Sequence, residues 1–131
     1  MNLVDSCGWI EYLSDLPNAD FFAPALEDTA KLLVPTICLY EVFKAFTIQQ
    51  GEKNALKAIA LMNQGKIVDL TPPISLTAAK LSIEHKLPMA DGIILATARL
   101  HDAVIWTQDK DFEGIEGVKF TQRISVRGSN G

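Results

Sequence analysis

Five acidic residues, Asp5, Glu41, Asp91, Asp109 and Asp111, occupy positions where a carboxylate needs a physical reason to be. Asp5 ends the apolar run Asn2-Leu3-Val4, and Asp109 and Asp111 follow the apolar run Ala103-Val104-Ile105-Trp106-Thr107. In open α/β sheets ligands bind in the crevice at the carboxyl ends of the strands, which is where these three acids would lie. Glu41 and Asp91 fall in segments otherwise built for burial, where an ionised carboxylate is costly unless a counter-charge offsets it. A shared hard cation would supply that charge. Mg²⁺ and Mn²⁺ take oxygen ligands, and the set contains neither His nor Cys. Such an ion can hold a phosphodiester, polarise its phosphorus–oxygen bonds and lower the pKa of a bound water, which in-line hydrolysis requires. The chain has no glycine-rich phosphate loop with Lys and no Ser/His/Asp pattern, and His85 and His101 fall on different helices, so metal-activated water is the nucleophile left.

Each acid also has a plainer explanation. Asp5 could serve only as an acid at a helix N-terminus, stabilised by the helix dipole. Asp91 could be the N-cap of its helix. Glu41 could pair with Lys44 at i+3 for a few tenths of a kcal/mol. Asp109 and Asp111 could be ordinary turn residues. The five together favour the cation-binding reading, most firmly for Asp91 and less so for Asp111.

The elements that would position these acids are legible from periodicity. Residues 2–4 form a short strand, after which Ser6 caps a helix with Trp9, Ile10 and Leu13 at helical spacing. A helix over 19–31 puts Phe22, Ala25, Leu26 and Ala30 on one face, with Glu27 and Asp28 in water. A strand at 32–34 stops at Pro35, and Thr36 caps a helix carrying Glu41 that Gly51 closes; a helix over 52–63 completes a hairpin ended by Gly65. A strand over 66–70, a helix over 75–85, a nearly all-apolar helix over 90–100 beginning at Asp91, a strand over 103–107, a polar turn over 108–113 and a last strand at 118–120 follow. Strands alternating with helices give a parallel sheet covered on both faces, a three-layer α/β/α architecture.

With 131 residues and 48% hydrophobic composition, the chain can bury one core; residues 1–126 are expected to form a single domain and 127–131 a flexible tail. No apolar run is long enough to span a bilayer, and no basic segment precedes an apolar stretch at the N-terminus, so a cytoplasmic protein with no membrane association is expected. Cys7 and Cys38 are expected to be reduced. The acidic balance, 16 Asp+Glu against 12 Lys+Arg, argues at first against a polyanionic partner. Setting aside the five candidate ligands (16 − 5) leaves 11 acids against 12 bases, which removes most of that objection. The aromatics Trp9, Tyr12, Phe43 and Phe46 read as core or dimer-interface residues, and Tyr40 as the one aromatic near the groove. Lys44, Lys53 and Lys57 read as a solvated helix face.

VDSCGWIEYL at the start, an isolated Glu41 in a helix after a strand, ADGIILATA at 90–98 and TQDKDF at 107–112 occur in that order. In this the sequence resembles the PIN-domain family, most closely the VapC type of toxin ribonuclease, over nearly the whole chain. The resemblance implies a PIN-like fold with a parallel sheet of about five strands. It implies metal-binding and catalytic acids at Asp5, Glu41, Asp91 and Asp109, with Asp111 as a further acid, and pocket hydroxyls at Ser6 and Thr107. It also implies one or two Mg²⁺ or Mn²⁺ ions, RNA as substrate, a homodimer, and a small antitoxin partner that enters the active-site groove. Cys7 stands where a Ser or Thr is common in the family, a change that a small polarisable side chain should tolerate. The expected function is therefore a metal-dependent endoribonuclease, the toxin of a toxin–antitoxin pair. The alternatives are a catalytically silent module of the same fold that receives a basic partner segment and, last, an acid-cluster phosphatase. The last lacks the second Asp two residues after Asp5 that a nucleophilic-aspartate enzyme uses.

Overall fold

The computed structural model describes residues 1–125; the expected tail, 127–131, lies outside the described residues. The chain runs β1 (Asn2–Val4), α1 (Ser6–Leu13), α2 (Ala19–Glu27), β2 (Leu32–Pro35), α3 (Thr36–Gln50), α4 (Glu52–Met62), β3 (Lys66–Val68), α5 (Pro72–His85), α6 (Met89–Leu100), β4 (Val104–Thr107) and β5 (Val118–Phe120). Short 3₁₀ turns at Thr29–Lys31 and Lys110–Phe112 precede β2 and follow β4. The five strands form one sheet in the order β3-β2-β1-β4-β5, every pair parallel, flanked by the six helices in three layers.

That order matters more than the count. β1 and β2 step one way across the sheet, whereas β4 returns to the other side of β1, so the winding direction reverses between β1 and β4. At such a switch point the connecting helices leave in opposite directions and open a crevice at the strands' carboxyl ends. The register Leu3↔Ile105 and Val4↔Trp106 brings the ends of the two strands level there.

The core is built as the apolar pattern demands. β2 is buried at all four positions, as a strand covered on both faces must be, while Leu3, Val4, Ile94, Leu95 and Ile105 are almost fully excluded from water between the layers. α5 starts on Thr71, whose hydroxyl accepts from the Ile74 N–H at 3.3 Å, with Pro72 and Pro73 in the first turn where their missing N–H costs nothing.

Several expected boundaries move. Asp5, not Ser6, caps α1, its Oδ1 accepting from the Ser6 N–H at 2.7 Å. Pro35 takes the cap position of α3 and Thr36 is already helical. The helix expected over 19–31 ends at Glu27, because Asp28 and Thr29 favour a local turn and the chain must redirect into β2. α5 begins at Pro72 instead of residue 75, and the strand expected over 66–70 ends at Val68 on the sheet's edge. The turn over 108–113 is not wholly polar: Phe112 is completely buried and pins it to the core.

α1 sits unusually close to its neighbours at Gly8. A Cβ there would come within 2.6 Å of both the Phe22 ring and Val4 Cγ1, so only glycine lets the helix that follows Asp5 pack this tightly. Gly8→Ala should therefore lose about 1–3 kcal/mol to overpacking, offset only in part by better helix propensity. A thermal midpoint equal to or above that of the parent would contradict this packing.

Candidate metal centre

The crevice between β1 and β4 is built from the backbone outward. The Asp5 N–H donates to the Trp106 carbonyl at 3.0 Å, extending the β1–β4 ladder by one residue before the chain turns into α1. This fixes Asp5 across from Thr107, whose Oγ1 donates to Asp5 Oδ2 at 2.8 Å. The same hydroxyl accepts the Asp109 N–H at 2.9 Å, so one side chain ties the acid after β1 to the acid after β4. Cys7 Sγ adds a weaker contact to Asp5 Oδ2 at 3.4 Å. Asp109 in turn accepts the Asp111 N–H on Oδ1 at 3.0 Å, closing the 3₁₀ turn whose underside is Phe112.

The third acid comes from the opposite layer. Asp91 lies in the first turn of α6, with Pro88 in the cap position, so the capping explanation for Asp91 does not hold. One carboxylate oxygen from each of Asp5, Asp91 and Asp109 lies within 4.8 Å of the others. Glu41 is outside this trio but beside it: its Oε1 accepts from the Ser6 hydroxyl at 2.7 Å. Among the described residues it has no ion pair with Lys44, which lies over the Tyr40 ring instead. Asp111 is exposed, with its backbone anchored on Asp109. Of the expected set, then, the fold brings three acids together, places Glu41 and Ser6 at their edge with Thr107 beneath, and leaves Asp111 on the rim.

The electrostatics match this crowding. Burial pushes Asp5 up to about 6 against the hydrogen bonds from Thr107, Cys7 and Ser6, which favour its charge. Asp91 is pushed up to about 8, first by burial and then by repulsion from Asp5, Asp109, Asp111 and Glu41. Three oxygens this close, all hard donors with no Lys or Arg paired to them among the described residues, fit a divalent cation such as Mg²⁺ or Mn²⁺. Cys7 belongs to the wall of the pocket, its thiol pushed up to about 12 by burial and the Asp5 charge, which leaves it protonated and unreactive.

A second polar group, with no counterpart in the sequence analysis, lies just behind the site. Glu11 is 5% exposed; its Oε2 accepts the Asn18 N–H at 2.9 Å and its Oε1 the Gln108 amide at 3.0 Å. Asn18 Nδ2 closes the ring on Gln108 Oε1 at 2.8 Å. Gln108 stands between Thr107 and Asp109, so this buried ring holds the β4 exit from behind. The one sequence signal was an acid on the buried face of α1, one turn after Gly8.

The shifts set a pH dependence. Below about pH 4 Asp91 is protonated whether folded or unfolded; between there and its folded value of about 8 only the unfolded chain has released that proton. Metal-free stability should therefore fall as pH rises through this window, with Asp5 contributing up to about pH 6. Asp91→Asn should flatten the fall, and millimolar Mg²⁺ should raise the parent's midpoint most at pH 8. Thermal melts of both proteins at pH 5 and pH 8, with and without the ion, check this; a parent midpoint in the metal-free state that rises with pH would refute it.

Comparison with known proteins places the fold. Residues 3–118 match the PIN domain family. No curated protein sequence matches the chain significantly. Among solved structures, a toxin–antitoxin complex from Klebsiella pneumoniae is 29% identical, covering 91% of this chain and 96% of its own, with TM-score 0.77. Mycobacterium tuberculosis VapC20, a sarcin-ricin loop cleaving toxin, is 14% identical with TM-score 0.75, covering 90% and 97%. VapBC2 from Rickettsia felis, bound to a DNA fragment from its promoter, is 12% identical with TM-score 0.71, covering 92% and 97%. Because the family match begins in β1 and reaches β5, taking in every acid that meets in the crevice, the chain belongs to the PIN domain family.

Proposed function

We propose that the chain is a divalent-metal-dependent endoribonuclease, the toxin of a toxin–antitoxin pair. The observation that carries this reading is the convergence of carboxylate oxygens from Asp5, Asp91 and Asp109, three separate elements, at the switch point of the sheet. Likeness to a toxin–antitoxin complex and to a sarcin-ricin loop cleaving toxin supports the partner and the substrate class. A partner antitoxin, a homodimeric assembly and a cytoplasmic setting belong to the same proposal. No helix among the described residues is long and apolar enough to cross a membrane.

In this mechanism Asp5, Asp91 and Asp109 would hold one or two Mg²⁺ or Mn²⁺ ions, with Glu41, beside them on α3, as a further donor. The bound ion would supply Lewis acidity toward the scissile phosphate and a more acidic water. The chain's own residues supply position. Thr107 and the Ser6 N–H fix both oxygens of Asp5, the Ser6 hydroxyl aims Glu41, and Thr107 sets the Asp109 backbone, so the donors are arranged before substrate arrives. Asp111, exposed and anchored through its backbone on Asp109, is assigned to the rim of the site. Water attacks phosphorus in line, the bond to the 3′ oxygen breaks, and that oxygen takes a proton, leaving a 3′ hydroxyl and a 5′ phosphate. The crowding of carboxylates speaks against the silent binding module, because a site that holds no cation would keep mutually repelling acids at a cost to stability.

Asp91→Asn and Asp109→Asn should lower cleavage of an RNA substrate by roughly two to three orders of magnitude, the scale on which one charge-stabilising group acts. Both should remain folded, since each substitution relieves repulsion in the metal-free site. EDTA should silence the parent, and Mg²⁺ or Mn²⁺ should restore it. Parent-level cleavage by both folded variants, or full activity in EDTA, would overturn the reading.

A further inference from the structure

A cavity of about 630 Å³ opens directly beside the acid cluster, and Asp109 lines both. It is lined by apolar surface from Leu16, Pro17 and Ile124, by the cations Lys110 and Arg123, and by the acids Asp109 and Glu11, the carboxylate of the latter already bonded to Asn18 and Gln108. Among the described residues neither cation has a carboxylate within ion-pair distance. The cavity is built from separate parts of the chain and held by the buried ring behind the site. Besides closing on Gln108, Asn18 Nδ2 donates to the Gln122 carbonyl at 3.0 Å, fixing the residue just before Arg123. One residue earlier, the Thr121 N–H donates to the Thr107 carbonyl at 3.0 Å. The groups that orient the β4 acids thus also set the segment that brings Arg123 and Ile124 to the cavity.

Its chemistry selects among occupants. An acidic peptide would meet Asp109 and the cluster behind it; a basic one would meet Lys110 and Arg123. A nucleotide satisfies both ends, with a flat apolar base on the walls, a phosphate on the two cations, and the next phosphodiester directed toward Asp109. The two cations also offset the negative field of Asp109 and Glu11 that would otherwise repel a polyanion from the cavity. We propose that this cavity is the subsite for the nucleotide adjoining the scissile phosphate of single-stranded RNA, its base on Leu16, Pro17 and Ile124 and its phosphate on Lys110 and Arg123. The assignment rests on the ribonuclease reading for its substrate. Only an unpaired base can be turned into such a pocket, so unstructured or loop segments would be favoured over duplex.

The test uses the full chain with Asp91→Asn to suppress cleavage, and a short unstructured oligoribonucleotide whose binding is measured over a range of salt. Arg123→Gln should weaken binding roughly tenfold and reduce the slope of log K against log salt by about 0.7, the contribution of one phosphate contact on a single strand. Arg123→Lys should return the slope. Ile124→Ser should weaken binding roughly fivefold or more with the slope unchanged, as loss of a stacking surface does. Unchanged affinity and slope in Arg123→Gln, while the parent chain cleaves RNA, would overturn the subsite and leave the ribonuclease reading intact. A parent that cleaves no RNA, with oligonucleotide binding still sensitive to Arg123 and Ile124, would reject the nuclease and with it the placing of this nucleotide site beside a scissile phosphate. Absence of oligonucleotide binding, or Arg123-dependent binding of polyglutamate in its place, would overturn the proposal.

Discussion

The structure is organised around an electrostatic cost: three carboxylates from distant parts of the chain are held with oxygens within 4.8 Å of one another, in a crevice where water screens them poorly. Burial first, and repulsion among the acids after it, push Asp91 up to about 8 and Asp5 to about 6, so that without a cation protons offset part of that cost. A doubly charged ion would relieve acids held in this condition. Because the hydrogen bonds from Thr107 and Ser6 already hold the oxygens in place, an ion would bind with little rearrangement of the donors.

What keeps the acids in place is mostly the sheet. Extending the β1–β4 register by one residue puts Asp5 level with Thr107, and the Thr107 hydroxyl then serves two masters, donating to the Asp5 carboxylate and accepting the Asp109 N–H. A one-residue slip in that pairing would send Thr107 to the other face and separate the two acids. The tight approach of α1 at Gly8, the buried Phe112 under the 3₁₀ turn and the Glu11–Asn18–Gln108 ring each restrain one flank of the same crevice. Packing in the core and geometry at the site are therefore coupled, and the site's precision comes from strands and buried polar contacts more than from loops.

The acidic balance of the chain, which at first argues against a nucleic-acid partner, has a local answer. Three of the acids meet at one spot, while Lys110 and Arg123 line the neighbouring cavity. A polyanion entering this cavity would meet positive charge beside the acids. Net charge summed over a chain thus says little about a site whose charges are segregated over a few ångströms.

The sequence alone determined the alternation of strands and helices, because burial on two faces of a sheet leaves continuous apolar runs and helices leave a 3.6-residue repeat. It also marked the acids that interrupt those runs, and the ordered motifs around them showed the family resemblance. Helix starts were less legible: Asp5 for Ser6, Pro35 for Thr36 and Pro72 for residue 75 all reflect local backbone geometry that several residue types can satisfy. Only the tertiary structure decided that β4 lies next to β1, since strand order depends on long-range pairing that leaves no periodic trace. From that adjacency came the rest of the selection: Asp5, Asp91 and Asp109 in mutual reach, Glu41 held beside them through Ser6, and Asp111 left at the rim. The buried ring around Glu11 was invisible for the same reason, because a hydrogen bond between α1 and the end of β4 exists only once the sheet has brought them together.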